Sequence, residues 1–473
     1  KSSENPMQDD ERPKGPTPKR VCSSNNPFPQ TWGPPTTYAT RSDKIIIVMV
    51  GLPARGKSYI SRRISQYISF FYGAPCKVFN VGEYRRRSSG PYQPASFFDP
   101  QNEHAARLRR EASETALADL VAWMSDVVPK RLDSGEDRFI SGDFGAIAFF
   151  DATNTTAERR AWIVERVRST GAKVIFLESI CRDEEIINRN IMASKVGGKD
   201  YAEVDADEAV RDFRARIEQY ESVYEEINEK EHCWIKLIDA GREIHLNGIR
   251  GFLPSRIAQF LVNLHVARTP FYLSRHGQSD YNRLGKIGGD SMLTHHGEEY
   301  ALKLGEWASE HICHTVDRKV IPARLWTSSL QRTIRTARHI PHPVITGPGA
   351  ESEWIQMRPK VFRNLDEIYA GVCDGFTYEE IALEYPEEAV ARKKDKFTYR
   401  YPRGESYIDL IARLEPIALE MERQREPLLI VGHQAIHRVL YAYLMGWPRE
   451  KCVEVSIPLN TVIKVTPTEA GCE

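Results

Sequence analysis

The 473-residue sequence lacks long apolar runs and an excess of either charge. Its longest strongly apolar stretch, Ile45 to Val50, is far shorter than the roughly 18–20 residues of a membrane-spanning helix. Lys and Arg total 65 and Asp and Glu total 65, so the net charge is +0, and no basic tract appears. Proteins that hold nucleic acid by its phosphates usually carry such a tract. The composition therefore excludes a membrane protein and disfavours a nucleic-acid binder.

Closely spaced cysteine pairs are also absent. The eight cysteines are scattered, with none of the short spacings of a zinc site or a redox dithiol. Scattered thiols are typical of a reducing compartment, and no apolar signal-peptide segment follows Lys1. We therefore expect a cytoplasmic protein.

Residues 1–42 have few apolar side chains and many prolines. Such a segment cannot bury enough surface to offset its ordering entropy, which predicts a mobile tail. Ser23 or Ser24, after Lys19-Arg20, is a potential phosphorylation site, so a regulatory kinase or adaptor is one candidate partner. A passive tail is the alternative.

From Lys44 onward, short apolar strands alternate with amphipathic helices, a pattern typical of a mostly parallel α/β sheet. Apolar residues at steps of three and four predict one long helix over Asp207–Glu231. A second α/β series begins after residues 266–270. We therefore predict two domains, 43–268 and 269–473.

Residues 51–58, Gly-Leu-Pro-Ala-Arg-Gly-Lys-Ser, match the P-loop pattern between a strand and a helix. In this pattern Lys57 reaches the β- and γ-phosphates and Ser58 ligates magnesium. Asp151 ends the apolar segment Ala146–Phe150 and is placed to hold the magnesium shell, with a helix N-cap as its alternative role. The spacing predicts ATP or GTP with magnesium.

An arginine cluster follows the second strand and continues into the next helix. Such a cluster suits an acceptor that already carries phosphate, and a solvated basic face is the alternative. Its members are Arg85, Arg86, Arg87, Arg107, Arg109 and Arg110.

Two histidines and an arginine follow strands of the second series. Arg275-His276-Gly277 closes one strand, His433 follows another, and Arg332 follows a third. Ligands of open α/β sheets bind at such strand ends. These residues suit phosphoryl transfer to a neutral imidazole, with arginines neutralising the oxygens and a carboxylic acid protonating the leaving oxygen. Metal ligation is the alternative, but no ligand spacing supports it.

From Lys44 to the C-terminus, the order of motifs resembles the bifunctional 6-phosphofructo-2-kinase/fructose-2,6-bisphosphatase family. The motifs are Gly-Leu-Pro-Ala-Arg-Gly-Lys at 51–57, Asn-Val-Gly-Glu-Tyr-Arg-Arg at 80–86, Asp-Ala-Thr-Asn-Thr-Thr at 151–156, Arg-His-Gly at 275–277, Ile-Gly-Gly-Asp at 287–290, Tyr-Arg-Tyr-Pro-Arg-Gly-Glu-Ser-Tyr at 399–407 and Gly-His-Gln-Ala at 432–435.

The resemblance implies two α/β domains. The first is a P-loop kinase with a mostly parallel sheet, which uses ATP and Mg²⁺ to phosphorylate the 2-hydroxyl of fructose 6-phosphate. The second is a phosphoglycerate-mutase-like histidine phosphatase without a cofactor, which hydrolyses fructose 2,6-bisphosphate through a phosphohistidine. A homodimer is also implied. The alternative is predominantly a kinase whose second domain is weak or sensor-like.

The resemblance also assigns site residues. The nucleotide and magnesium set is Gly51, Ala54, Arg55, Gly56, Lys57, Ser58, Tyr59, Asp151, Asn190 and Lys195. The sugar-phosphate set is Arg85, Arg109, Thr153, Arg159, Lys195, Arg216 and Tyr220. For Arg216 and Tyr220 the spacing alone favours structural roles, since Tyr220 continues the apolar stripe of its helix.

In the second domain, His276 is the implied nucleophile and Glu367 the general acid, with Asp366 as the alternative acid. Arg275, Arg332 and His433 surround the phosphoryl group. The remaining substrate contacts are Asn282, Gly288, Tyr378, Arg392, Lys396, Tyr407, Gln434 and Arg438.

The chain departs from the family pattern at several positions. Gln278 replaces Glu, Ser274 replaces Cys or Met, and Ser58 replaces Thr, which magnesium ligation should tolerate. The stretch Pro341 to Lys360 is longer than in the vertebrate-like pattern.

Overall fold

The computed structural model describes residues 44–127, 145–192, 201, 205–264, 269–315, 317–346, 353–468 and 471–473. The predicted tail and Lys195 lie outside these residues, so their roles stay predictions. The predicted domain limits also stay predictions. The described residues form two α/β lobes, each built around its own sheet.

The described part of the first lobe has a six-stranded sheet, ordered β2-β3-β1-β4-β5-β6. Its strands are β1 (Ile45–Val50), β2 (Cys76–Asn80), β3 (Ile147–Asp151), β4 (Lys173–Ile180), β5 (Cys233–Ile238) and β6 (Glu243–Asn247). All neighbours are parallel except β5 and β6. Every residue of β1 and β3 is buried, as in parallel sheets covered by helices on both faces. The predicted mostly parallel sheet is confirmed.

The helices of this lobe are α1 (Lys57–Tyr72), α2 (Val81–Ser89), α3 (Glu103–Asp126), α4 (Ala157–Val167), α5 (Glu184–Ile191), α6 (Ala206–Glu221) and α7 (Phe252–Asn263). The predicted helix over Asp207–Glu231 is wrong in its second half, because α6 ends at Glu221. Beyond it, the Glu225 amide donates to Thr155 and the Ile227 amide donates to the Glu178 carboxylate. The apolar spacing continues because Ile227 packs in the core from a loop.

The described part of the second lobe has a five-stranded sheet, ordered β11-β8-β12-β7-β13, with β13 antiparallel at the edge. Its strands are β7 (Phe271–Arg275), β8 (Arg324–Thr327), β11 (Pro359–Val361), β12 (Leu428–Gly432) and β13 (Val462–Val465), and β9 (Val344–Thr346) and β10 (Glu353–Ile355) form a separate antiparallel pair. The parallel core confirms the α/β prediction for this half.

The helices of the second lobe are α8 (Asp280–Leu284), α9 (His295–His311), α10 (Gln331–Ala337), α11 (Tyr378–Glu384), α12 (Pro386–Lys394), α13 (Tyr407–Glu422) and α14 (Gln434–Leu444). Helix α14 begins directly after His433. Among the described residues, no helix combines the length and apolar character needed to cross a bilayer.

One continuous apolar core joins the two lobes, since it includes Ile47 of β1 and Ile430 of β12. Polar contacts reinforce this junction where α1 faces α13. The Tyr67 and Tyr72 hydroxyls donate to the Glu415 carboxylate at 2.5 and 2.6 Å. Helix α1 therefore connects the P-loop at its start with the second lobe along its length.

Candidate active sites

The P-loop is a tight turn between β1 and α1. Gly51 has a φ of 128°, and a Cβ there would lie 2.4 Å from the Ser179 carbonyl oxygen, so only glycine fits. Gly56, with a φ of 77°, precedes α1. Lys57 is buried, and its Nζ donates to the Leu52 carbonyl oxygen at 2.6 Å. This turn presents backbone N–H groups and a helix N-terminus, which suits phosphate groups.

Asp151 ends β3 beside the P-loop. Its Oδ2 accepts the Ser58 hydroxyl at 2.6 Å and the Asn80 side-chain amide at 2.5 Å. Thr156, not Asp151, caps α4, so the N-cap alternative for Asp151 is wrong. A carboxylate and a hydroxyl oxygen together fit magnesium, which prefers oxygen ligands.

A pocket opens over the P-loop. Of the described nucleotide-binding residues from the sequence, it is lined by Ala54, Arg55, Gly56, Lys57, Ser58, Tyr59, Asp151 and Asn190. Gly51 is not among the lining residues. The Asn190 amide donates to the Ala54 carbonyl oxygen at 3.0 Å, which connects α5 with the P-loop.

A second, basic pocket adjoins the first. All described sugar-phosphate residues from the sequence line it: Arg85, Arg109, Thr153, Arg159, Arg216 and Tyr220. Thr153 and Arg216 line both pockets, so an acceptor in one would lie next to a nucleotide in the other. Burial, followed by the charge of Arg110, lowers the pKa of Arg159 to about 10. Crowded, partly buried guanidinium groups of this kind favour an anionic ligand.

Only part of the predicted arginine cluster reaches these pockets. Arg110 lines the basic pocket and Arg86 the P-loop pocket. Arg87 lies over the Tyr84 ring, and Arg107 contacts His104 on the surface. For these last two arginines the solvated-face alternative holds.

The loop that carries Thr153 depends on residues that the sequence did not single out. The Gly51 amide donates to the Thr153 carbonyl oxygen at 2.9 Å. Arg160, 1% exposed, donates to the carbonyl oxygens of Thr155 and Glu225 at 3.3 and 3.0 Å. Its Nε and a second guanidinium nitrogen donate to Glu229 at 3.0 and 2.7 Å. The sequence offered one sign of a role for Asn80, because Asn80 ends a strand as Asp151 does. It offered no sign of the role of Arg160.

In the second lobe, His276 follows β7 and is buried. Its Nδ1 lies 2.7 Å from the Gly277 carbonyl oxygen. Because a carbonyl oxygen only accepts, this contact places the proton on Nδ1 and leaves a lone pair on Nε2. Burial, followed by the charge of Arg332, lowers the pKa of His276 to about 3, so the ring is neutral. A neutral imidazole with a free Nε2 is a competent nucleophile.

His433 follows β12 and lies behind the pocket, with its ring centroid 5.2 Å from that of His276. Its Nε2 is 2.8 Å from the Ser328 hydroxyl oxygen. Burial, followed by the charge of Arg332, holds the pKa of His433 well below its ordinary value. Burial also lowers the pKa of Arg275 and Arg332.

The two candidate acids have different surroundings. Glu367 lines the pocket, and its Oε1 accepts the amides of Ile368 and Ala435 at 2.9 and 3.2 Å. Asp366 accepts the Ser329 amide at 2.7 Å and the Ser329 hydroxyl, and does not line the His276 pocket. The geometry favours Glu367 as the acid.

The pocket brings together all predicted residues of this half except His433: Arg275, His276, Asn282, Gly288, Arg332, Glu367, Tyr378, Arg392, Lys396, Tyr407, Gln434 and Arg438. Further lining residues were missed: Tyr281, Lys286, Tyr369, Tyr399, Tyr401 and Glu405. Three of them lie in the aromatic-rich stretch 399–407, whose composition was an available signal.

The departures from the family pattern lie away from this pocket. The Gln278 side chain accepts the Thr294 hydroxyl at 3.0 Å and does not line the pocket. None of the described residues of 341–360 lines it either. Ser274 is buried, 2.7 Å from the Tyr300 hydroxyl.

Comparison with known proteins finds matches for both halves of the chain. A 6-phosphofructo-2-kinase model matches residues 35–129 and 134–268, and a histidine phosphatase superfamily (branch 1) model matches residues 271–473. The chain is 39% identical over 464 residues to 6-phosphofructo-2-kinase/fructose-2,6-bisphosphatase 4 of Macaca fascicularis, covering 95% of this chain and 90% of the relative. It is 41% identical over 435 residues to the Arabidopsis thaliana 6-phosphofructo-2-kinase/fructose-2,6-bisphosphatase, covering 91% of this chain and 53% of the relative. The chain belongs to the 6-phosphofructo-2-kinase/fructose-2,6-bisphosphatase family.

Proposed function

We propose that the chain uses ATP to phosphorylate fructose 6-phosphate at the 2-hydroxyl and hydrolyses the resulting fructose 2,6-bisphosphate at a separate site. One observation carries this proposal. Each lobe has its own set of side chains suited to phosphoryl transfer, around the P-loop in one and around His276 in the other.

In the first lobe, the P-loop amides and Lys57 bind the nucleotide phosphates, and Ser58 and Asp151 hold magnesium. Magnesium, when bound, neutralises charge on the transferring phosphoryl group. The arginines of the basic pocket bind the 6-phosphate, and Thr153 lies where the two ligands meet. Positioning and charge stabilisation supply most of the catalysis in such transfers. Lys195, predicted at both ligands, lies outside the described residues.

In the second lobe, Nε2 of His276 attacks the 2-phosphoryl phosphorus, and the bond from phosphorus to the sugar oxygen breaks. Glu367 gives its proton to that oxygen, which releases fructose 6-phosphate. A water molecule then attacks the phosphorus, the bond from phosphorus to Nε2 breaks and returns its electron pair to the neutral imidazole, Glu367 accepts a proton from the water, and inorganic phosphate leaves. Arg275, Arg332 and His433 stabilise the phosphoryl oxygens.

The other predicted pocket residues hold the rest of the sugar bisphosphate. Burial, followed by Arg438 and Arg392, lowers the pKa of Lys396 to about 8, as expected where several cations await a phosphate. We expect no cofactor in this domain. The alternative of a kinase with a weak or sensor-like second domain has less support, because Gln278 and the described residues of 341–360 do not line the pocket.

We also propose a cytoplasmic, homodimeric protein whose tail, residues 1–42, binds a regulatory kinase or adaptor. The cysteines of the described residues are all free, which supports a reducing compartment. Homodimers are implied by the family resemblance.

The test is a time course with purified protein, magnesium ATP and fructose 6-phosphate, continued after ATP is exhausted. The 2-phosphate is at the anomeric carbon and therefore acid-labile, which distinguishes it from a 1,6-isomer. The product should rise and then decay. The Lys57→Met variant should form no product but should still hydrolyse added fructose 2,6-bisphosphate. The His276→Ala variant should form the product but should not hydrolyse it. Loss of both activities in either variant, with an unchanged circular dichroism spectrum, would contradict the two-site model.

A further inference from the structure

A group of buried hydroxyls lies behind His433. Ser328 and Thr333 are as fully buried as His433 itself. The Ser328 hydroxyl oxygen lies 2.8 Å from Nε2 of His433 and 2.8 Å from the Thr333 hydroxyl oxygen. The Leu330 amide donates to the same oxygen at 3.1 Å. Ser328 therefore connects His433 to the turn between β8 and α10.

Two directions of hydrogen bonding satisfy this group. In the first, Thr333 donates to Ser328, and Ser328 donates to Nε2 of His433. In the second, Nε2 of His433 donates to Ser328, Ser328 donates to Thr333, and Thr333 donates to the Leu330 carbonyl oxygen at 2.8 Å. A neutral histidine has only one ring N–H, so the two directions place the proton on different nitrogens.

The other nitrogen decides between them. Nδ1 of His433 is buried and has no hydrogen-bond partner among the described residues. With Nε2 engaged by Ser328, Nδ1 is the nitrogen left for a phosphoryl group on the neighbouring His276. Phosphoryl oxygens accept hydrogen bonds and do not donate them. In the first direction Nδ1 carries the ring proton and can donate it to these oxygens. In the second direction the lone pair of Nδ1 would face an acceptor oxygen, with no hydrogen bond between them.

We propose that Ser328 is a positioning residue that donates to Nε2 of His433 and so keeps the ring proton on Nδ1, facing a phosphoryl oxygen. The inference rests on the proposed function of the second site. Ser328 touches neither substrate nor the reacting atoms and acts through the orientation and tautomer of His433.

The kinetic test compares Ser328→Ala with the adjacent Thr327→Val, in the full-length chain. The Thr327 hydroxyl is also buried but has no hydrogen-bond partner among the described residues, so its loss tests packing alone. Ser328→Ala should lower kcat for hydrolysis about 10- to 100-fold with little change in KM, as for the loss of a transition-state donor. Thr327→Val should keep the wild-type kcat. Equal kcat values for the two variants would overturn the proposal.

The second test reads the tautomer directly and needs no turnover. Nitrogen NMR of the free, histidine-labelled enzyme, with His433→Gln to assign the signals, should show Nδ1 protonated and Nε2 unprotonated. Ser328→Ala should move proton occupancy towards Nε2. A wild-type ring protonated on Nε2 would overturn the proposal even if Ser328→Ala failed to fold. A wild-type enzyme without hydrolysis would instead refute the proposed function, and the NMR result would still decide the role of Ser328.

Discussion

Removal of the Arg160 guanidinium should impair the first lobe in both stability and substrate binding. Arg160 is almost completely buried, and Glu229 is 21% exposed. Breaking a buried ion pair by removing one partner costs about 3–5 kcal/mol. Because water reaches Glu229, we expect the lower end, about 3 kcal/mol, for Arg160→Met. For a lobe of this size, that corresponds to a fall of about 6–12 °C in the unfolding midpoint.

The same substitution should weaken sugar-phosphate binding more than nucleotide binding. Arg160 holds the carbonyl oxygen of Thr155, two residues after Thr153 on the loop between the pockets. With the loop less restrained, KM for fructose 6-phosphate should rise about 10-fold, equivalent to about 1.4 kcal/mol of binding free energy. KM for ATP should change less, because the P-loop keeps its own contacts. The His276 site lies in the other lobe, and its kcat at 25 °C should be unchanged.

The assay measures residual kinase activity after heating, together with both KM values at 25 °C. Arg168→Met is the matched control, because Arg168 pairs with Glu165 on the surface, where the side chains are 75% and 67% exposed. Such pairs contribute about 0–1 kcal/mol. If Arg160→Met had the same midpoint and the same sugar KM as Arg168→Met, the assigned role of Arg160 would be refuted.

Three further predictions concern the second lobe. Glu367→Gln should lower kcat for hydrolysis about 100-fold, whereas Asp366→Asn should leave it nearly unchanged, and equal phosphate-release rates would contradict the assignment of the acid. Because burial lowers the pKa of Lys396 to about 8, kcat/KM for the bisphosphate should fall as pH rises through 8, and a pH profile of Lys396→Arg should lack this step. Burial lowers the pKa of His437 from 6.5 to about 4, so it stays neutral when folded and takes up a proton when unfolded below pH 6.5. This linkage should cost about 2 kcal/mol of stability at pH 5, and thermal unfolding of His437→Gln should depend less on pH between 7 and 5.

Both active centres were predictable from local patterns. The P-loop is a contiguous motif, so Lys57 and Ser58 follow from spacing alone. Asp151, His276 and His433 each follow an apolar strand, and parallel strands bring such ends to one edge of a sheet.

The sequence-based prediction failed where the partner of a group lies far along the chain. Helix α6 ends at Glu221 because the next residues bond to Glu178 on β4 and to Thr155, neither of which a periodicity detects. Arg160 appeared as one more helix arginine, because nothing local marks it as buried among three carbonyl oxygens. Burial and pairing are tertiary properties, and side chains that support the site depend on them most.

The packing of the lobes explains how two opposed activities share one chain. Helix α1 begins at Lys57 in the P-loop site, and its Arg63 pairs with Glu422, the last residue of α13. The first residue of α13, Tyr407, lines the His276 pocket. The polar junction contacts come from Arg63, Tyr67 and Tyr72, none of which lines a pocket, and from Glu415 and Glu422, which line none either. Loss of Glu422 would leave Arg63 buried without its ion-pair partner and weaken both lobes together.

Each site group, in contrast, is positioned from within its own lobe: Asp151 by Ser58 and Asn80, and His276 by the Gly277 carbonyl. We therefore expect substitutions at either reacting centre to separate the two activities, and substitutions at the junction to impair both.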